Sequence, residues 1–127
     1  MLIRHFALAV ALATWLPAFA GSSEPYSAKR FDQLAAEGQA VLIAVHADWC
    51  PTCRAQRPIV SDLLARPAFK DLTELVVDFD HDKAALKRFR VGQQSTLIAF
   101  KGGKEKGRSV GDTSAGSIEN LARDAVR

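Results

Sequence analysis

Cysteine is nearly absent from this chain: two residues, Cys50 and Cys53, in 127. At most one intrachain disulfide can form, which excludes the multi-bridge scaffolds that hold small exported domains together without a core. A zinc site built from four thiolates is excluded too; a metal would need further ligands, and His46 and His81 are the histidines available beside the two thiols. Blocks of like charge are also missing. The formal charge is +3, acids and bases alternate, and the densest basic stretch, KGGKEKGR at 101–108, reads as a solvated hairpin turn. Nothing here points to a nucleic-acid partner. No apolar run reaches the roughly 20 residues of a membrane-spanning helix, and there is neither an internal repeat nor a low-complexity tract.

The longest apolar run lies at the start. MLIRH, a short basic opening, is followed by the fifteen residues FALAVALATWLPAFA, which include Pro17 and end in the small-x-small pattern Ala18-Phe19-Ala20. This predicts a cleaved secretory signal over residues 1–20, with a retained membrane anchor as the alternative. Cleavage leaves 107 residues, 21–127, with a charge of +2, no stable membrane association, and a periplasmic or secreted location where disulfides persist. That length suffices for one domain with one core.

Within 21–127 the expected order begins with a polar lead-in, GSSEPYS at 21–27, followed by a single domain over 28–127. Phe31, Leu34 and Ala35 recur at helical spacing up to Gly38. AVLIAVHA at 40–47 is apolar on both faces, as a central strand covered by helices should be. From Cys50 to Ala65 a second helix is expected, kinked at Pro58. TELVVDF at 73–79 reads as a strand, HDKAALKRFR as a short helix capped by Asp80 or Asp82, and STLIAFK at 95–101 as a strand leading through Gly102-Gly103 into a short one near 106–110. Ile118, Leu121, Ala122, Ala125 and Val126 mark a final amphipathic helix introduced by Thr113 or Ser114. The fold class is α/β: a central mixed sheet of about four strands flanked by helices. Phe79, Leu97, Ile98 and Phe100 are assigned to the core.

The stretch HADWCPTCRAQRP, 46–58, carries the chemistry. Its two cysteines, three positions apart in the first turn of a helix, share one face and can close a very small ring. A structural bridge gains most by closing a long loop, which this one does not. A helix N-terminus stabilises a thiolate, so Cys50, first and nearer solvent, is the expected nucleophile, and Cys53, one turn in, the expected resolving thiol. Pro51 suits the first helical position, Arg54 adds a positive charge, and Trp49 is expected to cover one side of the pair. Asp48 reads as a solvated acid, with proton transfer as its alternative. The metal reading stays open, with His46 near the pair or an outside ligand shared across a dimer.

Trp49-Cys50-Pro51-Thr52-Cys53 after an apolar strand, Pro58 beyond it, Asp78-Phe79-Asp80 at the next strand's end, and Ser95-Thr96-Leu97-Ile98-Ala99-Phe100-Lys101-Gly102-Gly103 together resemble the thioredoxin family over residues 28–126. The resemblance implies a thioredoxin-like fold and reversible thiol–disulfide exchange by a redox-active Cys50/Cys53 pair, with Trp49, Pro51, Thr52 and Ser95 around it. It also exposes three departures. The family's buried aspartate six residues before the first cysteine, thought to relay the resolving thiol's proton, is here Ala44, and its lysine partner falls at Val76. The cis-proline facing the cysteines is here Ser95. A cis bond before a residue other than proline costs about 2.5–4 kcal/mol, so the Gln94–Ser95 peptide is expected to be trans, with a hydroxyl and a free N–H added to the edge that meets substrate. The function expected is an exported thiol–disulfide oxidoreductase exchanging electrons with protein thiols, disulfides and a redox partner, with no organic cofactor and no bound metal. The reading from a different class is a binding protein that uses the same face to hold a metal or partner without turnover.

Overall fold

The computed structural model describes Ala13 and residues 20–127; the expected signal segment lies almost entirely outside them. Five strands and four helices follow in the order β1 (Ser22–Pro25), α1 (Ala28–Ala36), β2 (Ala40–His46), α2 (Pro51–Leu64), a 3-10 turn (Pro67–Phe69), β3 (Leu72–Asp78), α3 (Lys83–Phe89), β4 (Thr96–Lys101), β5 (Lys104–Val110) and α4 (Ala115–Val126). The strands form one sheet in the order β1-β3-β2-β4-β5. β1 and β2 run parallel to β3, while β4 and β5 are antiparallel neighbours on the other side. This is the mixed, helix-flanked sheet that the resemblance implies.

The strand count is five rather than about four because the polar lead-in is itself a strand. Ser22, Ser23, Glu24 and Pro25 pair with Thr73 to Val76 along the edge of β3. Its sequence hid it: an edge strand needs little apolar character, and Pro25 at its end demands no ladder donor. Entry into β1 is tight. Gly21 donates its N–H to the Leu64 carbonyl at 2.8 Å, and a Cβ at Gly21 would lie 2.6 Å from the carbonyl oxygens of both Leu72 and Phe69.

β2 is the axis of the molecule. Its alternating side chains feed two cores, as a strand apolar on both faces must. Leu42 and Ala44 join Val60, Leu63, Ile118 and Leu121 under α2 and α4. Val41, Ile43 and Val45 join Phe31, Leu34, Leu86 and Phe89 under α1 and α3. The helix starts obey capping chemistry: Ser27, Asp82 and Ser114 each accept a backbone N–H three residues on. Asp82, not Asp80, therefore caps α3, and α2 runs on through Pro58 to Leu64. Phe79 is only half-buried, where it packs against Ala47, Cys50 and Cys53.

Candidate active site

β2 ends at His46, and Ala47, Asp48 and Trp49 carry the chain to α2. Cys50 is the N-cap of that helix rather than part of its first turn: its backbone is extended (φ −87°, ψ 114°), and its Sγ accepts the Cys53 N–H at 3.2 Å. A sulfur here does what serine or aspartate does at other helix starts, taking up a donor that has no partner within the helix. Pro51 follows at a position where a missing N–H is harmless. Both cysteines are 2 % exposed, yet Cys50 lies under the thinner cover of the two, in keeping with the expectation that it sits nearer solvent than Cys53. Both thiols are free.

Ser95 closes the site from the other side. No peptide bond among the described residues is cis, and Ser95 takes a left-handed conformation with φ 61°, which costs a residue other than glycine about 1–2 kcal/mol. Three hydrogen bonds hold it there. Its N–H donates to the Val45 carbonyl at 2.9 Å, and its carbonyl accepts from Gly111 N at 3.0 Å and from Gln56 Nε2 at 3.1 Å. The expected N–H is thus present but not free. The hydroxyl, buried with the rest of the residue, stands 3.1 Å from Cys50 Sγ and 3.1 Å from Cys53 Sγ.

The two thiols differ sharply. Burial pushes the Cys50 thiol up, but hydrogen bonds from the Cys53 side chain, the Ser95 hydroxyl, the Cys53 N–H and the Gln94 side chain outweigh it and bring the pKa down to about 7. Only a thin layer covers this sulfur, which is why burial does not win although little of it touches water. Cys53 sits deeper: burial and its hydrogen bond to Cys50 raise its pKa despite the Ser95 hydroxyl. Arg54 is not among the groups that lower the Cys50 pKa; its guanidinium donates to the Asp48 carbonyl at 2.9 Å.

Trp49 is 56 % exposed beside the pair, and its indole N–H donates to the Asp80 carboxylate at 2.9 Å. Pro51 is exposed and Thr52 half-buried. The two histidines weighed as metal ligands have other partners: His46 pairs with Asp48 and His81 with Asp78, each at 2.9 Å. Among the described residues no three His, Cys, Asp or Glu side chains converge as a metal-binding set. Ala44 and Val76 face each other across β2 and β3, so two apolar residues stand where the family keeps its carboxylate and lysine.

Three residues around the pair carry no signal of their place in the sequence pattern read above. Gln56, 4 % exposed, fixes both the Ser95 carbonyl and, at 2.8 Å, the Asp112 carbonyl. Outside that pattern its spacing gives a hint, since Gln56 lies three residues after Cys53 and shares its helix face. Asp80, a candidate helix cap by its place in the sequence, instead accepts the Trp49 indole N–H. Glu74 lines a cavity of about 350 Å³ that also reaches Cys53, His46 and Arg57. Burial pushes its carboxyl up, opposed by Ser23 and by the charges of Arg57 and His46.

A lowered thiol at a helix start, a raised thiol one turn later and an open aromatic beside them define a dithiol–disulfide exchange centre. Residues 23–124 match the family model described as Thioredoxin. The chain is 39% identical over 71 residues to thioredoxin of Chlamydia trachomatis, covering 56% of this chain and 68% of that one. It is 33% identical over 95 residues to thioredoxin of Chlamydia pneumoniae, covering 75% and 90%. Among solved structures, Trxlp from Edwardsiella tarda EIB202 is 46% identical with a TM-score of 0.76, covering 80% of this chain and 97% of that one. A variant thioredoxin from Halobacterium salinarum shares the fold at 20% identity, with a TM-score of 0.72 over 89% of this chain and 96% of that one. The chain belongs to the thioredoxin family and is a thiol–disulfide oxidoreductase.

Proposed function

We propose that this oxidoreductase works after export, in the periplasm or outside the cell, on the disulfides and thiols of other proteins, with Cys50 as nucleophile and Cys53 as resolving thiol. The observation that carries the division of labour is the opposed pair of pKa shifts within one hydrogen-bonded cluster. Near neutral pH Cys50 exists substantially as thiolate, the form that attacks a substrate disulfide, while Cys53 holds its proton until the mixed disulfide has formed. Attack by Cys53 on Cys50 Sγ then releases the reduced substrate and leaves the Cys50–Cys53 disulfide, which a partner's thiols reopen. Trp49 gives an incoming chain an apolar platform next to the nucleophile.

Reduction of insulin disulfides by the purified protein, paired with alkylation of each cysteine, tests this reading. Cys53→Ser should trap a mixed disulfide with substrate and Cys50→Ser should not; equal labelling of the two thiols at an ordinary pKa would remove the case for a catalytic pair. Export rests on the Ala18-Phe19-Ala20 ending. A mature N-terminus at Gly21 in a membrane-free periplasmic fraction, read by intact mass, is the expected result, and the full-length chain held in the membrane is the contrary one.

A further inference from the structure

In the resolving step Cys53 must lose a proton and the departing substrate sulfur must gain one. The apolar pair Ala44 and Val76 offers no carboxylate for this. Apart from Cys50 Sγ, which is the atom it attacks, and the Ala47 backbone, Cys53 Sγ meets the Ser95 hydroxyl at 3.1 Å and the Val45 carbonyl at 3.8 Å, and a backbone group cannot pass the proton onward. We propose that the Ser95 hydroxyl is the proton relay of mixed-disulfide resolution, taking the proton of Cys53 and delivering its own to the substrate sulfur as it leaves Cys50.

The geometry meets the demands of such a relay. The hydroxyl is equidistant from the two sulfurs. In the mixed disulfide the substrate sulfur is bonded to Cys50 Sγ at about 2 Å, close to a hydroxyl already 3.1 Å from that atom. A hydroxyl both donates and accepts and can rotate between partners. Its Cα cannot drift, because the Val45 carbonyl, the Gly111 N–H and Gln56 pin the backbone on either side. The step balances. The Cys53 S–H bond breaks as its sulfur forms the bond to Cys50 Sγ, and the bond from Cys50 to substrate breaks. The Cys53 proton passes to Ser95 Oγ and the Ser95 proton to the leaving sulfur. Two cysteines end oxidised as a disulfide, the substrate half-disulfide ends as a thiol, and Ser95 is unchanged.

This inference rests on the Cys50/Cys53 assignment, and the test separates the two. Rapid quenching and intact mass follow the mixed disulfide on Cys50 after the reduced protein meets either oxidised glutathione, whose alkyl thiolate needs a proton on leaving, or 5,5′-dithiobis(2-nitrobenzoate), whose weakly basic aromatic thiolate does not. Ser95→Gly removes the hydroxyl and suits a φ of 61°; Ser95→Ala repeats the removal with a Cβ in place. Both variants should accumulate the glutathione intermediate, resolving it about 10- to 100-fold more slowly than wild type at pH 7, and should slow the aromatic adduct clearly less, because there only the Cys53 proton has to be moved and the leaving sulfur needs none. Glu74→Gln, which removes the carboxyl sharing the cavity with Cys53, should leave both adducts within about twofold. Unchanged glutathione resolution in Ser95→Gly, an equal slowing for both adducts, or a slowing that follows Glu74→Gln instead would each overturn the relay. Wild-type protein forming no adduct with either reagent would bring down the catalytic pair itself, and the relay with it.

Discussion

The start of α2 and the loop that delivers Ser95 face each other across one pair of sulfurs, yet they are built on opposite principles. The helix start is local. Its cap contact spans three residues, Cys53 N–H to Cys50 Sγ, and Pro51 sets its first backbone angle. The Ser95 loop is tertiary throughout: it reaches Cys50 across 45 positions, Cys53 across 42 and Gln56 across 39, in a backbone conformation that serine rarely adopts. The helix sets where the sulfurs are. The loop does much to set which of them gives up its proton, because Ser95 and Gln94 are two of the four donors that draw the Cys50 pKa down. Position comes from a motif; reactivity comes from the fold closing on it.

The largest effect should come from breaking the local half. Cys50→Ser is expected to reduce insulin-disulfide turnover to background while leaving the urea midpoint nearly unchanged, since a serine hydroxyl still caps the helix. Gln56→Ala attacks the tertiary half. It strips the Asp112 carbonyl of its 2.8 Å donor and loosens Ser95, so unfolding free energy should fall by about 2 kcal/mol in urea melts. An unchanged melt would mean that the loop holds Ser95 without Gln56.

The pH dependence sharpens the comparison further. The Cys50 pKa is lowered to about 7, so its alkylation rate should be level well above that pH and drop about tenfold per unit well below it. Removing the Ser95 hydroxyl deletes one of the donors that stabilise the thiolate and must move the midpoint upward, toward the free-thiol value of about 8.5. A downward move in Ser95→Gly would contradict the hydrogen-bond account. The smallest effect belongs to the rim. Asp80→Asn weakens the exposed contact to Trp49 and should change stability by less than about 0.5 kcal/mol, with a severalfold change in KM for protein disulfides and little in kcat.

What could be read from the sequence divides along the same line. β2, α2 and the sulfur pair were legible because apolar runs, a proline at the helix start and three-residue spacing are one-dimensional signals. So was the trans peptide before Ser95, from the penalty on cis bonds without proline. The lead-in strand was not, because Ser22 to Pro25 owe their conformation to the free edge of β3 and carry no pattern of their own. The burial of Cys50, the bonded N–H of Ser95 and the service of Gln56 were hidden for a related reason: each depends on which segments a three-dimensional closure brings together. Asp80 and Asp82 were equivalent as letters, and only the turn geometry chose the cap.

Gly21 ties the beginning of the chain to the redox centre. Its N–H lies on the carbonyl of Leu64, the last residue of the helix whose other end carries Cys50. Under the proposed processing, cutting after Ala20 turns that amide into an ammonium group at the negative pole of the helix, a placement worth about 0.3–1 kcal/mol. Maturation would then do more than release the protein. It would add a counter-charge to the far end of the active-site helix, making the finished enzyme firmer than its precursor, and a cut one residue to either side would set that charge off the Leu64 carbonyl.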